Sequence, residues 1–136
     1  YEIERCYYQN IKNGKDIVLE DGRIIENDQL TFDPVPAKNY AFCSDTVYNE
    51  AILPIIENID VLYHESTFLQ SEENLAKKTL HSTAKEAATI ALKANAKQLI
   101  LGHYSTRYES IELLKEEAET IFPEVLLADD GKSFEF

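Results

Sequence analysis

The sequence has no methionine and no tryptophan, and only two cysteines, four glycines and four prolines in 136 residues. Two cysteines, Cys6 and Cys43, cannot build a disulfide framework, and neither belongs to a Cys-x-x-Cys pair. That usage points to a reduced, cytoplasmic protein. With 44% hydrophobic and 28% charged residues, the composition excludes long disorder. No apolar run approaches the roughly 20 residues of a membrane span. No basic-then-apolar start marks a secretory signal, so no membrane partner is expected. Positive charge is also scarce: 13 Lys+Arg stand against 25 Asp+Glu, a formal charge of −12. Such a field repels nucleic acid on average, although bound metal ions can reverse the sign inside a site. Residue 1 is Tyr, and the opening YEIERCYY already reads as structure. The expectation is a piece of a longer protein.

A chain this long suits one domain, and a domain of this size folds without a disulfide or a structural metal. Residues 1–38 read as a β-rich lead-in. Ile3, Tyr7 and Tyr8 suggest the end of a strand. DIVLE (16–20) and RIIE (23–26) flank Asp21-Gly22 as a hairpin with a two-residue turn. From residue 39 strands alternate with helices, which predicts an α/β layer containing parallel pairs. The strands are YAFCS (40–44), DVLYH (60–64), QLIL (98–101), Val125–Ala128 and Ser133–Phe136. Asn49 caps a short helix to about Glu57, limited by Pro54, and residues 70–79 are partly helical. Thr83-x-x-Glu86 is a capping box. It opens a helix with Ala84, Ala87, Ala88, Ala91 and Ala94 on one face. Thr106-x-x-Glu109 is a second such box, before Ile111, Leu114, Ala118 and Ile121 at helical spacing.

The unusual polar residues fall at strand ends. Asp45 follows YAFCS, His64 and Glu65 end DVLYH, and His103 follows QLIL. Ligands of α/β sheets bind outside the carboxyl ends of strands. An Asp oxygen and a neutral imidazole there are the donors that zinc takes. His81 precedes the Thr83-capped helix and Arg107 a later one, both places suited to an anion. Two ligands cannot hold a catalytic zinc, so a metal site would need residues from outside this sequence. Taken singly, these residues have plainer readings. Asp45 fits a turn, His103 a loop, Arg107 a surface ion pair, Cys43 core packing, and His64 a satisfied structural histidine.

CSDT (43–46), YHEST (63–67), HSTA (81–84), GHYSTRY (102–108) and the ending LADDGKSFEF together resemble the carboxy-terminal half of the ribonuclease Z family. That is the tRNA 3′-processing endonuclease family of the metallo-β-lactamase superfamily. The match covers 39–136 well and 1–38 loosely. It departs from the family pattern at Ser66, where Ala is usual, and at Ser44, where many members have Gly. The resemblance implies half of a four-layer α/β/β/α fold, a mixed sheet with helices on one outer face. It implies Asp45 and His103 as ligands in a two-zinc site, His81 as the group assisting the leaving oxygen, and Glu65 as its orienting partner. It places Arg107, Ser82 and Thr83 at the substrate phosphate. It further implies precursor tRNA as substrate, loss of the 3′ trailer with a 3′-hydroxyl left behind, and a homodimer. The family's His-x-His-x-Asp-His motif and its next metal histidine are absent. Activity is therefore expected of the longer parent, with this chain alone binding zinc weakly and cleaving nothing.

Two other readings stand beside this one. A superfamily hydrolase or phosphodiesterase of small substrates would suit the acidic charge. A non-catalytic acidic interaction module would need none of the four motifs.

Overall fold

The computed structural model describes residues 3–136, which fall into two compact units, one ending at Ala37 and the other Lys38–Phe136. In the first unit a 3-10 turn at Arg5–Tyr7 leads into helix α1, Tyr8–Lys12. Tyr7 and Tyr8 of the expected strand end are therefore helical and Ile3 lies in no strand, while Tyr1 and Glu2 of the opening segment lie outside the described residues. The helix stops at Gly14. This glycine takes φ +73°, and the Lys15 amide donates back to the Asn10 carbonyl at 3.0 Å. That wide bond closes a helix end over a left-handed glycine. Strands β1 (Ile17–Val18) and β2 (Ile24–Ile25) form the expected antiparallel hairpin, with Ile17 opposite Ile25, both buried. Its loop is longer than two residues. The Leu19 amide pairs with the Arg23 carbonyl, and Gly22, at φ +84°, donates to Leu19.

The second unit is a four-stranded sheet in the order β3 (Tyr40–Cys43), β4 (Val61–Glu65), β5 (Gln98–Gly102), β6 (Val125–Leu127). Every pair is parallel, where a mixed sheet was expected. Helices lie between the strands in sequence, as parallel connections require: α2 (Leu53–Ile56), α3 (Glu73–Thr79), α4 (Ala84–Lys93) and α5 (Glu112–Glu119). Pro54 sits in the first turn of α2, where its missing N–H costs nothing. Asn49 accepts the Ala51 amide at 3.0 Å ahead of that segment.

The capping box at Thr83 is complete, with Thr83 accepting the Glu86 amide and Glu86 accepting the Thr83 amide. Behind it Ala84, Ala87, Ala88 and Ala91 are fully buried. Lacking long side chains, they bring α4 close against Leu62, Leu99 and Leu101 of the sheet. Leu114 and Ala118 of α5 complete this core with Val125 and Leu127. Each fully buried leucine stabilises the fold by roughly 1.5–3 kcal/mol relative to an exposed one. Phe42 and Tyr63, in register on neighbouring strands, stack with ring centroids 4.4 Å apart on the other face. Phe42 remains largely exposed there.

Two further expected elements differ. The second capping box does not form. Helix α5 begins at Glu112, because Tyr108 turns inward and its hydroxyl accepts the Leu69 amide at 2.9 Å. Ser110 instead accepts the Glu112 amide. Ser133–Phe136 is not a strand; after a turn at Gly131 (φ +78°) it finds no ladder partner among the described residues. Its Phe136 packs on Tyr40 with centroids 6.1 Å apart.

Candidate functional site

Strands β3, β4 and β5 run parallel and end at one edge, so the residues just past them share that edge. Asp45 and His103 both take left-handed backbone there, at φ +49° and +57°. A histidine held at positive φ is strained, and such strain clusters where a side chain must point in one direction. The result is contact: His103 Nε2 lies 3.2 Å from Asp45 Oδ1. His81 joins them from the loop between α3 and α4, its ring centroid 5.1 Å from that of His103. One donor atom from each of Asp45, His81 and His103 falls within 4.8 Å of the others. A carboxylate oxygen and two imidazole nitrogens so grouped suit a first-row divalent ion, so the residues present fit a metal. His81 was expected to touch substrate rather than metal; the geometry allows its ring either neighbour.

Beneath the trio lies Glu65, the last residue of β4, with no solvent exposure. Its Oε1 accepts the Thr46 amide at 2.6 Å and faces His81 Nδ1 at 3.0 Å. Its Oε2 accepts the Thr67 hydroxyl at 2.7 Å and the Ser82 amide at 3.0 Å. Burial pushes the carboxyl pKa up, but these hydrogen bonds together outweigh burial and hold it below the usual carboxylate range. Glu65 is thus a buried, fully partnered anion that ties the loops after β3, β4 and α3 together.

Ser82 and Thr83 were expected at substrate phosphate. Both are fully buried, and their hydroxyls have internal partners. Ser82 donates to the Thr46 carbonyl at 2.7 Å, and Thr83 caps α4 and meets Gln70 at 3.0 Å. The reason is local: a helix N-cap must turn its oxygen back to the helix. Arg107 stands outside the trio. It pairs with Glu72 at 3.3 Å and lies over the Phe68 ring, 5.0 Å from its centroid. Phe68 in turn meets the His81 ring edge-on at 6.2 Å. His64 is buried and donates from Nδ1 to the Glu65 carbonyl at 2.8 Å, the structural role read for it. Burial pushes the Cys43 thiol pKa up, which suits packing rather than nucleophilic attack.

Sequence reasoning assigned no role to Thr67 or Phe68. Thr67 carried a signal, since two residues beyond Glu65 in an extended segment it returns to the same side. Phe68 carried none.

No family model matches the chain. Curated relatives do. The ribonuclease Z of Parabacteroides distasonis is 48% identical over 131 residues, 96% of this chain and 43% of that protein. Those of Porphyromonas gingivalis and Bacteroides thetaiotaomicron are 47% and 49% identical over 96% of the chain, and 43% and 40% of their own lengths. The chain therefore spans about two-fifths of these relatives. Among solved structures, the metallo-β-lactamase fold protein YhfI of Bacillus subtilis superposes with a TM-score of 0.68 and 29% identity, over 73% of this chain and 40% of that one. A long-form RNase Z from yeast gives 0.58 and 33%, over 67% and 12%. The chain is thus a homologue of ribonuclease Z over nearly its whole length, folded as part of a metallo-β-lactamase fold.

Proposed function

We propose that this chain supplies one side of the active site of a zinc-dependent endoribonuclease that removes the 3′ trailer of precursor tRNA, the activity residing in the longer parent. The observation that carries the reading is the convergence of Asp45, His81 and His103 at one sheet edge over a single buried carboxylate. The relatives named ribonuclease Z support the substrate class. Asp45 and His103 would hold the metal, whose part when bound is to offset phosphate charge and to acidify water. His81 keeps its Nδ1 hydrogen on Glu65, so its Nε2 faces the site and can pass a proton to the departing 3′ oxygen. Glu65 orients that imidazole through the contact at 3.0 Å. Arg107, laid on Phe68 beside His81, would reach a neighbouring phosphate once released from Glu72. Ser82 and Thr83 shape the loop rather than bind the substrate. We place the enzyme in the cytoplasm as a homodimer, in keeping with the tRNA substrate.

The test uses the full-length parent on precursor tRNA. Asp45→Ala and His103→Ala should each abolish trailer removal and lower bound zinc measured by mass spectrometry. His81→Ala should lower kcat by roughly a hundredfold or more with zinc retained. Full cleavage by Asp45→Ala would overturn the reading. A second reading, hydrolysis of small phosphodiesters, draws on the −12 charge. Faster turnover of a small phosphodiester than of precursor tRNA would favour it.

A further inference from the structure

Thr67 has one hydroxyl hydrogen and three polar neighbours. Glu65 Oε2 is 2.7 Å away, His103 Nδ1 2.9 Å and the His103 carbonyl 3.0 Å. The ionised carboxylate is the nearest and strongest acceptor, so the hydroxyl donates to Glu65. Its oxygen can then only accept from His103, which requires the hydrogen of that ring to sit on Nδ1. The Nε2 lone pair is left facing Asp45 Oδ1 at 3.2 Å. Two electron-pair donors that close repel unless positive charge lies between them, as a proton or a metal ion. The backbone holds the same arrangement. The Ser105 amide donates to the Thr67 carbonyl at 3.1 Å, and the Ser66 amide to Gly102 at 2.8 Å, so both sides of His103 are fastened to the segment carrying Thr67.

We propose that Thr67 is a positioning residue: it links His103 to Glu65, so that one buried carboxylate fixes the hydrogen of both His81 and His103 on Nδ1 and turns both Nε2 atoms to the site. The relay runs from His103 Nδ1–H to the Thr67 oxygen, and from the Thr67 O–H to Glu65, beside the direct bond from His81. A hydroxyl can stand in such a relay because it donates and accepts at once. Outer partners of this kind fix the tautomer and basicity of metal-binding histidines. The hydrogen-bond assignment stands on geometry alone; its value for metal binding rests on the nuclease reading above.

The test is a nitrogen-15 NMR measurement of histidine tautomers on the chain at mildly alkaline pH, for wild type, Thr67→Ser and Thr67→Val. The expected result is hydrogen on Nδ1 of His103 in wild type and Thr67→Ser. In Thr67→Val it should move to Nε2, toward Asp45, with His81 unchanged. Titration with zinc alone should then show roughly tenfold weaker binding for Thr67→Val and recovery in Thr67→Ser. A wild-type His103 bearing its hydrogen on Nε2 overturns the proposal even if the valine variant fails to fold. So does an unchanged His103 tautomer in a folded Thr67→Val. The expected tautomers with no zinc binding by any form would leave the relay standing and count against the metal reading instead.

Discussion

At the scale of single residues, the site is organised by what is buried rather than by what is exposed. Asp45 and His103 reach solvent, yet their directions depend on Glu65, which does not. Replacing Glu65 with Gln keeps the shape but sets an amide NH2 against groups that are themselves donors. That should cost about 3 kcal/mol or more of stability, read as a lower urea midpoint. Acid should act on the same region. Burial disfavours charged His64 and holds its pKa below the usual imidazole value, the bond to the Glu65 carbonyl only partly offsetting this. Glu65 is likewise held below the carboxylate range. Both groups bind protons more readily unfolded than folded. Their stabilisation is complete above the unfolded values, and it is lost as pH falls, from about 6.5 for His64 and about 4.3 for Glu65. Urea midpoints should therefore hold steady above about pH 7 and fall in two stages below it, His64→Gln removing the first stage. Gly102, one residue before His103, admits no side chain, since a Cβ there would overlap the Tyr63 hydroxyl and ring. Gly102→Ala should destabilise by roughly 1–3 kcal/mol, since Tyr63 can move only by leaving Phe42. A thermal melt would check this.

At the scale of elements, α4 shows why a local motif can matter to a distant site. Its capping box fixes where the helix begins, and the loop just before it holds His81 and Ser82 on Glu65. Thr83→Ala removes the cap and strips Gln70 of a partner. We expect a loss of about 1 kcal/mol in urea unfolding. Because the loop must re-register, His81 should also lose its Glu65 contact, seen as a changed imidazole signal in NMR. The capping box at Thr83 and the alanine face were legible in sequence because both are short-range patterns. Thr106-x-x-Glu109 matched the same pattern and formed no cap. There, burial of Tyr108 against the core decided the start of α5, and no local motif reports that. The all-parallel order was hidden as well: Ser133–Phe136 has strand-like residues, but Phe136 meets the edge strand at Tyr40 through its ring and joins no ladder.

At the scale of the whole molecule, the charge of −12 stands against the proposed RNA substrate. The chain alone should therefore leave precursor tRNA unshifted in a native gel at physiological salt, since its net negative charge repels the phosphate backbone. A clear shift by the isolated chain would mean that RNA binding resides here rather than in the rest of the parent. Among the described residues, no helix is long and apolar enough to cross a membrane.

By itself the sequence determined the alternation of strands and helices, the alanine face, and the placing of Asp45, Glu65 and His103 at strand ends. Those features follow from side-chain periodicity and from short spacings, which need no knowledge of distant partners. Only the tertiary structure decided that His81 stands beside His103, that Ser82 and Thr83 turn inward, and that Thr67 stands between Glu65 and His103. Each of these depends on which loops meet at the ends of parallel strands, and such loops can lie far apart in sequence, as Thr67 and His103 do at a separation of 36. Burial then chooses among the hydrogen bonds that such a meeting permits, because an unpartnered polar group in the interior costs more than any local preference returns.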